Sequence, residues 1–166
     1  SSYPRKNRSR IPEEVPMSDL PEQSSVSDIL AWIGQHALVV RTEAATLLRI
    51  AENLTWVRIA ENEVLFRQGD SSDTLFILVS GRLHVQVVQE NGEQTRVGTI
   101  TPRQMVGEAE VLSGGARTET VQAEEDSLLL RLSGQVFHEL GRDDPALLQN
   151  VATAVHARNR HTQLIL

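Results

Sequence analysis

Seventeen residues in the second half of the chain carry most of the chemistry this sequence could do. Met105 to Val121 reads Met-Val-Gly-Glu-Ala-Glu-Val-Leu-Ser-Gly-Gly-Ala-Arg-Thr-Glu-Thr-Val. Pro102 turns the chain ahead of it. Gly107 opens a short helical turn, Glu108 to Leu112, Ser113-Gly114-Gly115 loops out, and Arg117 is predicted to start a strand. Such a segment suits an anion. The start of a short helix offers free amide groups, and an arginine facing it adds a charged fork. Glycines allow close backbone approach. A carboxylate at the helix start accepts hydrogen bonds from hydroxyls, such as those of a ribose. The plain alternative is a Glu108–Arg117 salt bridge that only holds the loop.

Other chemistries find less support. The chain has no cysteine, which excludes a disulfide scaffold, a thiol nucleophile and thiolate metal sites. His84 stands alone in a strand pattern, and His156 and His161 are five apart, which misses the i, i+4 spacing of a helical zinc site. No Gly-x-Ser-x-Gly, P-loop or Ser-His-Asp arrangement occurs. No enzyme activity and no metal are therefore expected. With 22 acids against 16 bases the net charge is −6, a poor match for nucleic acid. No apolar run reaches membrane-spanning length, and no apolar stretch follows the N-terminal charges as in a secretory signal. A cytoplasmic setting, free or as the cytosolic domain of a membrane protein, is expected.

The elements that must position this segment follow from periodicity. Residues 1–25 hold four of the six prolines, and are read as a flexible Pro-rich linker or tail. From Val26 to His36 the pattern is helical, with Ser27 a candidate cap and Ile29, Leu30, Trp32 and Ile33 apolar. A second helix is predicted from Thr42. After Asn53 the period becomes two. Predicted strands are Thr55–Ile59, Val64–Phe66, Thr74–Val79, Arg82–Val88, Thr95–Ile100, Arg117–Ala123 and Ser127–Leu132. Asn91-Gly92 marks a hairpin. Past Leu132 two helices are predicted. Ser133 caps the first and Gly141 ends it; Asp143 or Asp144 caps the second, with Pro145 near its start. The expected fold is mainly β with flanking α: an antiparallel jelly-roll or double-stranded barrel between N-terminal and C-terminal helices. The domain is predicted over 26–162, with 163–166 a tail.

Within that frame Met105–Val121 resembles the phosphate-binding cassette of the cyclic nucleotide-binding domain family, the kind found in cyclic AMP receptors and protein kinase A regulatory subunits. That cassette reads approximately Phe-Gly-Glu-x-Ala-Leu-Leu, a few residues, then Pro-Arg-Thr/Ala-Ala-Thr/Ser-Val. Gly107, Glu108, Val111, Leu112, Arg117, Thr118, Thr120 and Val121 fall on it in register. Phe66 to Gly81, with Gly69-Asp70 and Asp73-Thr74-Leu75-Phe76-Ile77, resembles the family's early strands. The likeness covers about residues 40–155.

The resemblance implies roles. Glu108 would accept the ribose 2′-hydroxyl and Arg117 would pair with the cyclic phosphate. Gly107, Ala109 and Glu110 would line the phosphate, and Thr118 would touch phosphate or purine. Val97, Val106 and Leu83 would form an apolar wall, and a C-terminal helix would cap the base. Val106 stands where the family usually has Phe, Arg103-Gln104 where it has Gly-Asp, and Ala116 where it has Pro. Glu110 and Glu119 take positions usually held by Ala. A carboxylate about 5 Å from a bound phosphate would cost about 3 kcal/mol at an effective dielectric of 20. These glutamates either face solvent, or one pairs with Arg117, or the site binds no cyclic nucleotide. Strand alternation is expected to turn Glu119 away. The function implied is a regulatory sensor of cyclic AMP or cyclic GMP. It would move the C-terminal helices and control an attached effector: a transporter, channel or lipid-acting enzyme. A homodimer is allowed for. The alternative is a degenerate domain that binds no nucleotide and serves interaction or dimerisation.

Overall fold

In the computed structural model, which describes residues 20–165 and side chains through Arg158, helices bracket a β core. Helices α1 (Val26–Ile33) and α2 (Ala44–Asn53) are joined through a 3-10 turn, Ala37–Val39. Eight strands follow: β1 (Thr55–Ile59), β2 (Val64–Phe66), β3 (Thr74–Ser80), β4 (Leu83–Val88), β5 (Gln94–Ile100), β6 (Met105–Val106), β7 (Thr120–Ala123) and β8 (Ser127–Ser133). Helix α3 (Glu108–Ser113) lies between β6 and β7, and α4 (Gly134–Asp143) and α5 (Pro145–Ile165) close the chain. The strands form two four-stranded antiparallel sheets, ordered β1-β8-β3-β6 and β2-β7-β4-β5. This is the mainly antiparallel jelly-roll with flanking helices that the periodicity indicates. Only β6 escapes prediction. It pairs two residues with Phe76 and Ile77, too few to show a period.

The two sheets read differently because they are buried differently. In β3 and β8 the apolar run is continuous, as in a strand covered on both faces. Leu75, Ile77, Val79, Leu128, Leu130 and Leu132 face the helices, while Phe76, Leu78 and Leu129 face the opposite sheet. Against the helix-facing side pack Trp32 and Ile33 of α1, Ile50 of α2, Phe137 of α4, and Leu147 and Val151 of α5. Each such side chain contributes about 1.5–3 kcal/mol on burial. Between the sheets, Leu83, Val85, Val97, Ile100, Val106 and Val121 complete a second core.

Several boundaries differ from expectation. The cap of α1 is Ser25, which accepts from the Asp28 amide at 3.1 Å, so Ser27 lies inside the helix. Leu20 is buried in the core, so packing reaches back past residue 26. The expected Pro-rich tail lies outside the described residues up to 19. The α5 backbone continues to Ile165, through most of the segment expected as a C-terminal tail. Gly141 does not end α4; it lies inside it, where a Cβ would collide with Leu148 of α5. The glycine allows two helices to approach closely. The helix ends instead at Asp144, followed by Pro145 as the first residue of α5. The Asp144 carboxylate accepts from the Glu43 amide and from Thr46 Oγ1, each at 2.8 Å, and so caps α2 from across the fold. Those bonds hold its carboxyl below the usual carboxylate range.

Candidate functional site

The loop between β6 and β7 is shaped by one glycine. Gly107 has φ +80°, and a Cβ there would strike the Arg117 guanidinium. The chain can therefore turn into α3 directly over Arg117. Arg117 is only 4% exposed. Its Nη1 donates to the Gly107 carbonyl at 2.9 Å and to Glu110 Oε1 at 3.3 Å. Its Nη2 donates to the Thr74 carbonyl at 2.6 Å and to Thr74 Oγ1 at 3.2 Å. The guanidinium carbon sits 4.0 Å from the Phe66 ring centroid. A buried charge is tolerated only when paired and hydrogen-bonded, and Glu110 with two carbonyls supplies that here. Glu110 Oε2 accepts in turn from Thr118 Oγ1 at 3.2 Å.

A second ion pair involves the first residue of α3, Glu108. Arg158 of α5 donates from Nη1 to Glu108 Oε1 at 2.9 Å, and from Nη2 to the Met105 carbonyl. Glu108 is 1% exposed, and its Oε2 is buried with no hydrogen-bond partner. Glu108 and Arg117 therefore do not bridge each other. Each is paired elsewhere.

Gly107, Glu108, Ala109, Glu110 and Thr118 line one hollow of about 80 Å³, together with Glu119, Val155 and Arg158. Beside it lies a cavity of about 610 Å³ between β5 and α5, walled by Val85, Val97, Ile100, Met105, Ala154 and Ala157. His36, Arg103, Glu119 and Arg158 are also on its lining. Of the apolar wall expected from sequence, Val97 is on this cavity. Val106 and Leu83 are not on it; they face the interior between the sheets. Val85 takes their place.

Glu119 corrects the sequence reading most sharply. It was expected to point away on a strand, but β7 begins only at Thr120 and residues 118–119 form a bend. Alternation governs a strand and not the turn before it. Glu119 therefore enters the cavity, where burial raises its carboxyl above the usual range; nearby Arg158 opposes the rise and Glu110 and Glu108 add to it.

Sequence reasoning missed His36, Thr74, Arg103 and Arg158. His36 Nδ1 accepts from the Leu38 amide at 2.9 Å and Nε2 donates to the Arg103 carbonyl at 2.5 Å. Burial pushes this imidazole below its ordinary value. Arg103 lies over the Trp32 ring at 4.6 Å. A signal for Arg158 existed: Ala154, Ala157 and Arg158 share one helical face by their i, i+3, i+4 spacing.

Residues 56–144 match the family model described as the cyclic nucleotide-binding domain. The chain is 28% identical over 157 residues to lysophospholipase nte1 of Aspergillus niger, covering 95% of this chain but 9% of that protein. It thus spans a small fraction of that relative's length. Among solved structures it is similar to the catabolite activator protein of Thermus thermophilus, with a TM-score of 0.68, 23% identity, and coverage of 77% of this chain and 60% of that one. It is also similar to the regulatory subunit of a cAMP-independent protein kinase A from Trypanosoma brucei, with a TM-score of 0.69, 17% identity, and coverage of 81% and 47%. A variant of that subunit, with one glutamate changed to alanine and two further substitutions, has been solved bound to cAMP. The family model and the solved structures agree on a cyclic nucleotide-binding fold. Among the described residues no helix is long and apolar enough to cross a membrane.

Proposed function

This chain belongs to the cyclic nucleotide-binding domain family, and we propose that it is a regulatory domain of a longer, cytoplasmic-facing protein of the lysophospholipase kind, whose phosphate subsite is closed by its own Glu110. The carrying observation is the sealed Arg117: Glu110 and two carbonyls hold the guanidinium where a cyclic phosphate would need it. Adding a phosphate there means either breaking that pair or placing two anions together, at a cost of about 3 kcal/mol. The similarity to a cAMP-independent subunit, whose cAMP-bound variant loses a glutamate, supports the same reading. Regulation then runs through the contact between the cassette and α5, formed by Arg158 and Glu108. Of the effectors expected, the lipid-acting enzyme is the one this kinship favours.

A second reading, a cyclic AMP or cyclic GMP sensor seen in its closed form, is favoured by the cavity of about 610 Å³ beside the cassette. That volume is within the usual range for small-molecule sites. Calorimetric titration of both nucleotides into the wild-type chain and into Glu110→Ala decides. We expect no heat of binding from the wild type and measurable binding by Glu110→Ala. Micromolar binding to the wild type would establish the sensor instead.

A further inference from the structure

Three parts of the fold meet at one buried imidazole. His36 precedes the 3-10 turn Ala37–Val39 and is 5% exposed. Its Nδ1 accepts from the Leu38 amide at 2.9 Å and so caps that turn. Its Nε2 donates at 2.5 Å to the carbonyl of Arg103, in the connection between β5 and β6. From the other side, Asn150 Nδ2 of α5 donates to the Leu38 carbonyl at 2.8 Å and to the Val40 carbonyl at 2.7 Å. The 3-10 turn thus hangs between the β core and α5, with His36 and Asn150 as its two hooks. One acceptor and one donor are what a neutral imidazole offers, here as the Nε2–H tautomer. An imidazolium has two donors and no acceptor, so it sets one N–H against the Leu38 N–H.

Arg103, the residue His36 grips, is held against its backbone preference. Its φ is +76°, a region that L residues rarely adopt. Its guanidinium lies 4.6 Å over the Trp32 ring and donates to the Trp32 carbonyl at 3.3 Å. The His36 ring stacks against the same indole, with centroids 6.4 Å apart. The charged groups that line the cavity with His36 are Arg103 from the β5–β6 connection, Arg158 from α5 and Glu119 from the bend before β7. Burial, opposed by the bond to the Arg103 carbonyl and aided by the Arg103 charge, holds the imidazole below its ordinary value.

We propose that His36 is the pin of an acid-released joint: proton uptake detaches the 3-10 turn from the β core and leaves it hung on α5 by Asn150 alone. Opening brings the ring into water, where its ordinary value is about 6.5. The open form therefore takes the proton first, and the open fraction rises by up to about tenfold for each pH unit below that value. The contribution of His36 to closure is full above about 6.5 and is lost as pH falls toward the depressed value of the closed form. The joint uses no residue of the cassette, so it stands whether or not a nucleotide binds.

The test is amide hydrogen exchange in the full 166-residue chain, read as protection factors so that the intrinsic pH dependence of exchange is removed. Leu38 reports the joint and Leu129, in the middle of β8, reports global unfolding. Between pH 7.5 and pH 5 the Leu38 protection factor is expected to fall by up to about thirtyfold, from a value below that of Leu129 throughout. The variant His36→Asn keeps an oxygen able to cap the turn but cannot take a proton. Its Leu38 protection is expected to stay level over the same range. Glu119 titrates in both chains, so the comparison isolates His36. Level protection in the wild type, or the same fall in His36→Asn, overturns the proposal. Leu38 and Leu129 exchanging with equal protection also overturns it, because the whole fold and not the joint would then be opening. Should His36→Asn fail to fold, the wild type decides by its ring nitrogen shifts. Protonation of His36 in the pH range where Leu38 loses protection supports the joint. Protonation with Leu38 still protected overturns it.

Discussion

Two arginine–glutamate pairs flank the same short helix and are built in opposite ways. Arg117 and Glu110 are 3.3 Å apart, with side chains 2% and 9% exposed. Arg158 and Glu108 are closer, at 2.9 Å, yet Arg158 is 31% exposed. Distance alone would rank the outer pair as the stronger. Burial reverses the ranking. Separating the inner pair strands two charges in a dry core, whereas Arg158 can swing into water and only the Glu108 carboxylate is stranded. The inner pair is part of the fold and the outer pair is a latch, although both involve residues of one six-residue helix.

The largest test of that contrast is Arg117→Ala. It strands Glu110 and removes the cation over Phe66, and should cost about 3–5 kcal/mol of stability in urea unfolding. The double variant Arg117→Met/Glu110→Met should cost much less than the single change, because no unpaired charge remains. A double variant as unstable as Arg117→Ala would show that the carbonyls of Gly107 and Thr74, and not Glu110, hold the guanidinium.

The same contrast runs along α5. Its start is tied down by a sealed anion, since Asp144 is buried and accepts two bonds of 2.8 Å from the head of α2. Leu147 and Val151 are fully buried beside it. Further along, Ala154 and Val155 are only partly buried and Arg158 is the ionic tie. Asp144→Ala should therefore lower global stability by about 1–3 kcal/mol, the cost of leaving the Glu43 amide and the Thr46 hydroxyl without an acceptor. Because hydrogen bonding depresses this carboxyl in the folded state, its contribution is present above the unfolded value of about 3.9 and lost as pH falls below it. The wild type, but not the variant, should show that acid loss in urea midpoints measured from pH 5 downwards.

The fold was more legible than the site, for a physical reason. Strand periodicity is repeated across many residues, so Thr55–Ile59 and Val64–Phe66 are found at their predicted bounds. Burial on both faces still left a readable apolar run in β3 and β8. Gly107, Glu108 and Arg117 were legible as neighbours around one loop because their spacing is local. Their partners were not: Thr74 and Arg158 lie 43 and 50 residues from the residues they contact, and no local pattern reports such a pairing. Gly141 misled because a helix-ending glycine and a close-packing glycine look alike in sequence. Glu119 misled because the strand was drawn three residues too early, and a period of two then assigned the wrong face.

Glu119 also offers the finest probe of the contrast, since it touches the hollow on which the outer pair sits. Its carboxyl is raised in the folded state, by burial first and by Glu110 and Glu108 next, against the pull of Arg158. Between its unfolded value of about 4.3 and the raised one, the folded chain holds more protons than the unfolded chain. The stability tied to this group is therefore fully present below about 4.3 and is lost as pH rises through the folded value. Glu119→Gln cannot ionise, so it should match the wild type near pH 4 and exceed it near neutrality. The gain should be under about 1 kcal/mol, because the group is partly solvated and faces a cation. Subtracting one urea midpoint curve from the other cancels the titrations of His36 and Asp144, which both chains share. A difference that stays flat with pH would mean that Glu119 reaches water, and that only Glu108 and Glu110 face the hollow. A difference that falls toward neutrality would mean that Arg158 leans on Glu119 as well as on Glu108, so that the outer pair is a three-membered cluster.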